Sequence, residues 1–296
     1  MEQLKFPLMI TWTITDNCNL RCKHCFKKEY NNEYLDLKII KQLINLFKKH
    51  NVYGIILTGG EPLTSKYLFD ILKEINHQIK VGIATNGVLL DKELITRLKN
   101  YGVKSFQVSL EGTTKEINDY IRGEGVYEKV LKNINLLLKE NLDVTVAMTV
   151  NEYNYEDIKS NSLDFVKAIG VPKLRLEYYI PIDENKKMLN PITNEMMDDL
   201  CKELLSKNTD IILQYPNFDN NVGCGAGIFN CVINSDLSLS PCDLLTHKFR
   251  SNQMKTIEDF EKIWNYDESF IEWRKIMKCY NCNKKYKCVA MGERNE

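Results

Sequence analysis

Cys18, Cys22 and Cys25 place three thiols at spacings of four and three residues in one short stretch, Thr15-Asp16-Asn17-Cys18-Asn19-Leu20-Arg21-Cys22-Lys23-His24-Cys25. Thiolates are soft ligands that select iron–sulfur clusters, zinc or Cu(I). Structural zinc sites and ordinary ferredoxin sites use four protein ligands. A local set of three suggests a [4Fe–4S] cluster with one iron open to another ligand, although the spacing by itself also admits a zinc knuckle. A second stretch, Gly59-Gly60-Glu61-Pro62, closes the apolar run Ile55-Ile56-Leu57. Glycines allow close backbone approach to a ligand, and a glutamate there can accept a hydrogen bond from an ammonium group.

Cys18-x3-Cys22-x2-Cys25 just after a first strand, with Gly59–Pro62 at the end of a second, resembles the radical S-adenosylmethionine (SAM) family. In that family the amino and carboxylate groups of SAM chelate the fourth iron. An electron from the cluster then cleaves the sulfonium and yields a 5′-deoxyadenosyl radical, which abstracts a substrate hydrogen. The resemblance implies that Gly59, Gly60, Glu61 and Pro62 hold the SAM amino group. It places Asn86 and Ser109 on the ribose side, with Thr149 among the same contacts, and Arg122 on the carboxylate, for which a planar guanidinium fork is suited. His24 stands where the family often has an aromatic packed near adenine.

These residues must be positioned by regular elements. Ile39, Ile40, Leu43, Ile44 and Phe47 recur at helical spacing and predict a helix over 36–50. Strands are expected over 8–15, 53–58, 79–85, 104–110, 142–150 and 173–179, and helices over 66–76, 91–100, 126–140 and 155–169. Alternating strands and helices imply a parallel sheet with right-handed crossovers. Six such units are fewer than the eight of a closed barrel. They fit the family's partial (β/α)6 TIM-like barrel, an α/β fold with one open side. The candidate motifs fall at the C-terminal ends of the strands, where parallel barrels gather their ligands. A further helix and an extended segment occupy 191–213, and Pro216-Asn217 marks a boundary. The expected domains are 1–213, the barrel, and 214–296, a cysteine-rich appendage.

That appendage holds Cys224, Cys231, Cys242, Cys279, Cys282 and Cys288. A β-hairpin is expected with Cys224 and Cys242 near its ends and its turn at Ser235-Asp236, followed by a helical stretch over 257–277. The pattern is similar to the family's SPASM extension, or its shortened twitch form, which implies one auxiliary [4Fe–4S] cluster held by Cys224, Cys242, Cys279 and Cys282, with Cys288 as an alternative ligand. A four-thiolate zinc site stays open as a second reading of the same residues. Two departures stand out: Leu237 follows the hairpin Asp where the family has Gly, and Gly292 stands where the full form has a further Cys. Cys231 is left over, either as buried filler or as a thiol that gives a hydrogen atom to a substrate radical. Glu177 and Asp243 fall near the expected pocket, where either would orient a substrate or take a proton. Cys201 reads as core.

The composition bounds the rest. The chain has 296 residues, 44% hydrophobic and 27% charged, with 40 basic residues against 40 acidic. This balance gives no reason to expect a nucleic-acid or anionic-membrane partner. No apolar run reaches transmembrane length, and ten cysteines without a signal peptide suit metal sites in a reducing cytoplasm. The resemblance implies a low-potential electron donor such as flavodoxin or ferredoxin. It also implies a reaction in the maturation of a ribosomal peptide, by cross-linking, thioether formation or epimerisation. Because the cysteine loop begins at residue 18, peptide modification is expected to need either a separate leader-peptide-binding protein or direct docking of the peptide. A radical SAM dehydrogenase or epimerase of a small molecule, such as an aminoglycoside or sugar, is the alternative substrate class. A non-enzymatic metal-binding scaffold is the alternative of another kind.

Overall fold

The computed structural model describes residues 4–25, 35–181, 188–207, 210–215 and 225–282, the last five of these as helix backbone only. Strands β1 (Met9–Thr13), β2 (Gly54–Thr58), β3 (Lys80–Thr85), β4 (Val103–Ser109), β5 (Asp143–Val150) and β6 (Lys173–Tyr178) lie side by side in chain order, each parallel to the next. Helices α1 (Leu37–Lys49), α2 (Leu68–Ile75), α3 (Lys92–Asn100), α5 (Val126–Lys139) and α6 (Tyr155–Ala168) connect them. This is the mostly parallel α/β sheet expected from the sequence. Local chemistry sets the helix starts: the Asp36 and Asp91 carboxylates accept from Ile39 N and Leu94 N at 2.7 and 2.8 Å, satisfying amides that the first turn leaves unpaired.

Two elements, α4 and β7, were not in the sequence expectation, and the hairpin lies in an unexpected place. α4 (Lys115–Arg122) follows β4 and is capped by Thr114. β7 (Ile212–Gln214) extends the sheet beyond β6 in parallel, as part of the extended segment after α7 (Asn194–Ser206). On the opposite edge, β8 (Asn230–Ile233) pairs parallel with β1, and β9 (Leu239–Ser240) returns antiparallel to β8. The hairpin therefore forms as expected, but it continues the barrel sheet. Leu237 in its turn has φ +67, the left-handed conformation that favours glycine. The expected helical stretch divides at Asp267 into α8 (Asp259–Tyr266) and α9 (Glu268–Cys282).

Alternation along the strands separates two faces. Phe106, Val108, Val144, Val146, Leu174 and Leu176 point outward and are buried beneath the helices. The residues between them, among them Gln107, Ser109, Ala147, Thr149, Arg175 and Glu177, line the inner face. Most inner-face side chains are small or bear hydroxyls, which leaves room for a ligand.

Register also overturns one candidate. Cys231 pairs with Ile10, on the outward face, and is fully buried in the main apolar core. Burial pushes its thiol far above the ordinary cysteine range. A thiol facing away from the inner wall cannot hand a hydrogen atom to a substrate there, so Cys231 is core filler. Cys231→Ala should lower unfolding stability by about 1–2 kcal/mol, as loss of a small buried apolar group does, with the iron content of reconstituted protein unchanged. Urea denaturation alongside iron analysis checks both.

Candidate metal and cofactor site

The cysteine loop leaves β1 and is held against the end of β2 by the backbone. Gly60 N donates to Thr15 O at 2.9 Å and Glu61 N to Asn17 O at 2.7 Å. A Cβ on Gly59 would sit 2.4 Å from Thr15 O, and one on Gly60 would sit 2.3 Å from Asn17 O. Both glycines are therefore required by the approach of the chain's own cysteine loop, a nearer constraint than the ligand that the sequence suggested. Pro62 opens a 3-10 turn whose Thr64 hydroxyl also donates to Asn17 O, at 3.2 Å.

Glu61 is fully buried, and its carboxylate ties the loop after β2 to the end of β3. Its Oε1 accepts from Leu63 N at 3.1 Å and Thr85 Oγ1 at 2.8 Å, and its Oε2 from Asn86 N at 2.7 Å. Burial pushes its carboxyl up from the ordinary range, and these donors oppose the rise. Asn86 carries the link back to the cysteines: its Nδ2 donates to Asn19 Oδ1 at 2.8 Å and lies 3.8 Å from Cys18 Sγ, while its Oδ1 accepts from Val88 N at 3.0 Å. The side chain expected on the ribose side thus braces the loop.

A buried ion pair holds the other flank. Arg122 donates from Nη2 and Nε to Glu111 Oε1 at 2.5 and 3.1 Å, and Glu111 Oε2 accepts from Thr149 N at 2.7 Å. The carboxylate that Arg122 grips is thus one of the chain's own. Its Nη1 and its carbonyl oxygen both lie 4.0 Å from Cys22 Sγ, and Lys23 N donates to Ile121 O at 2.8 Å. Burial pushes the Glu111 carboxyl up, with Arg122 opposing. His24 Nε2 lies 3.6 Å from Glu111 Oε1, too far for a hydrogen bond. Burial, with the Arg122 charge beside it, lowers the imidazole to about 3, so His24 is neutral and this contact is not an ion pair. Glu111 is the important residue that sequence reasoning left without a role. Its one signal was its place directly after β4.

The environment of the thiols fits a thiolate-ligated cluster. Leu20 N donates to Cys18 Sγ at 3.4 Å, and the Asn86 amide and Arg122 guanidinium face Cys18 and Cys22. Such donors stabilise negative sulfur. Burial pushes Cys22 up to about 11, so ligation there releases a proton. Among the described residues no group of three or more side chains converges on a single ion. The Ser109 and Thr149 hydroxyls on the inner face have no hydrogen-bond partner among the described residues.

Residues 12–161, half of the chain, match the Radical SAM superfamily. The chain belongs to that superfamily. It is 29% identical over 212 residues to "Fe-coproporphyrin III synthase" of Methanosarcina barkeri, covering 70% of this chain but 51% of that protein. It is 24% identical over 301 residues to "Mycofactocin maturase MftC" of Mycolicibacterium smegmatis, covering 94% of this chain and 75% of that one. The chain thus spans about half the length of the first of these relatives. Streptococcus suis SuiB shares the fold: its structure with SAM bound gives a TM-score of 0.75 at 18% identity, over 92% of this chain and 68% of that one. Its structure with the precursor peptide SuiA gives 0.77 at 17%, over 92% and 67%.

The second cysteine group is only partly in view. Cys242 follows β9 and packs with Ala226, Leu245, Phe249, Trp273 and Met277 in a separate apolar cluster. Cys279 and Cys282 lie on the last turns of α9, their side chains outside the described residues, as are Cys224 and Cys288 entirely.

Gly60→Ala should displace the cysteine loop and sharply reduce the iron retained after anaerobic reconstitution, while far-UV circular dichroism keeps its wild-type form. Wild-type iron content in that variant would show that the close approach is not needed.

Proposed function

We propose that this protein is a radical SAM enzyme that abstracts a hydrogen from a substrate held on the inner wall of the partial barrel, and that its substrate is a ribosomal peptide. The observation that carries the reading is the fixed cysteine loop, hung from Gly60 and Glu61 and braced by Asn86 and by the Glu111–Arg122 pair. A [4Fe–4S] cluster with SAM on its open iron would supply reductive cleavage of the sulfonium, using one electron from a low-potential carrier such as flavodoxin or ferredoxin.

The chain's own residues do the positioning. Cys18, Cys22 and Cys25 hold the iron. Glu61 and Arg122 sit next to the loop, where the SAM amino and carboxylate groups would lie; the Ser109 and Thr149 hydroxyls are free to take the ribose. The wall keeps competing solvent hydrogens from the reacting carbon, and orientation supplies much of the rate. Peptide maturation is supported by the maturase name of the Mycolicibacterium smegmatis relative and by the peptide bound to SuiB. The C-terminal segment from residue 214 would carry one auxiliary cluster on Cys224, Cys242, Cys279 and Cys282, with Cys288 as the alternative ligand. Asp243, beside Cys242, would orient the substrate or take a proton from it. Among the described residues no helix is long and apolar enough to cross a membrane.

Anaerobically reconstituted protein with SAM and dithionite should form 5′-deoxyadenosine, detected by liquid chromatography–mass spectrometry, and Cys22→Ala should abolish it. Full iron incorporation without any SAM cleavage would replace the enzyme reading with a metal-binding scaffold.

A further inference from the structure

Three long polar side chains interrupt the small residues of the inner wall beyond the cysteine site, and they converge on one another. Gln107 on β4 donates from Nε2 to Glu177 Oε1 at 3.3 Å, and Arg175 on β6 donates from Nε to the same oxygen at 2.7 Å. The strand between them makes this reach possible. Ala147 on β5 is in register with Ser109 on one side and Arg175 on the other, and its small, buried methyl group lets the longer side chains meet across β5. Both donors hold Oε1. Glu177 Oε2 has no hydrogen-bond partner among the described residues, and 30% of the side chain is exposed.

We propose that Glu177 docks a cationic nitrogen of the substrate, an ammonium or guanidinium, with Gln107 and Arg175 as the positioning residues that aim its free oxygen. This names a substrate feature and rests on the inner wall being the substrate site. The local charge favours a cation over an anion. Asp243 and Glu111 both act against the Glu177 anion while Arg175 favours it, which leaves an excess of negative charge around that carboxylate. The neighbouring charges do not correct that excess: Lys173 is paired with Asp143 at 2.6 Å and Arg122 with Glu111 at 2.5 Å. A substrate cation completes neutrality at Oε2, and a carboxylate held from one side by two donors offers a charge-assisted hydrogen bond in a fixed direction. Burial in the wall pushes the Glu177 carboxyl up from the ordinary range, and the Arg175 guanidinium opposes the rise.

The test uses the full chain, reconstituted and loaded with SAM, and three probes: N-acetyl-lysine methylamide, its norleucine analogue, and its glutamate analogue. Binding is measured by titration calorimetry or saturation-transfer NMR. The wild type should bind the lysine probe about tenfold tighter than the norleucine probe, the worth of one hydrogen bond to a charged group. Glu177→Gln should erase that preference, Glu177→Lys should transfer it to the glutamate probe, and Gln107→Leu should weaken it. A wild type that does not distinguish lysine from norleucine overturns the proposal, as does one that prefers glutamate or a preference unchanged in Glu177→Gln. These outcomes are independent of 5′-deoxyadenosine formation, so the inference can fail while the enzyme reading stands.

Discussion

The structure depends on a contact that leaves no room for a side chain. The cysteine loop crosses the end of β2 so closely that a methyl group on Gly59 or Gly60 would overlap a carbonyl oxygen of the loop. Backbone hydrogen bonds from Gly60 and Glu61 replace the side chain in holding it. Three cysteines on a free loop would sample many geometries. Three cysteines on a loop fixed at Thr15 and Asn17 start from a few, and much of the ordering cost of binding a cluster is met during folding.

Two buried carboxylates extend that constraint outward. Glu61 joins the loop after β2 to the end of β3, and Glu111 joins the end of β4 to α4 and β5. Each is costly to bury and is compensated by several donors, so removing one partner leaves a charge or an amide stranded. The asparagines complete the frame: Asn118 accepts from Glu111 N at 3.0 Å and Asn154 donates to Glu111 O at 2.9 Å. Stability and site geometry thus rest on the same side chains, on the rim where parallel strands end.

Much of this was legible in the sequence. The thiol spacing and Gly59–Pro62 are local patterns, and α1, with its apolar face, and β2, with its unbroken apolar run, follow from local composition. What was missed has physical reasons. α4 carries few apolar residues, although Thr114 before it and Gly123 after it were readable as its start and stop signals. β7 is three residues long, below what a pattern can carry. Cys231 stayed open between buried filler and a hydrogen donor because nothing local reveals that β8 lies beside β1 and turns that thiol outward. Arg122 looked free for a ligand because its partner, Glu111, is brought to it only by the turn of the chain through α4. The glycines were recognised, but their neighbour is the chain itself.

The central claim is that the fixed loop holds an iron–sulfur cluster by three corners and leaves the fourth for SAM. Electron paramagnetic resonance of the anaerobically reconstituted, reduced protein tests it directly when SAM is added. The account predicts a [4Fe–4S] signal whose g-values shift on SAM addition. A signal that SAM leaves unaltered, or protein that carries zinc and no such signal, would contradict it.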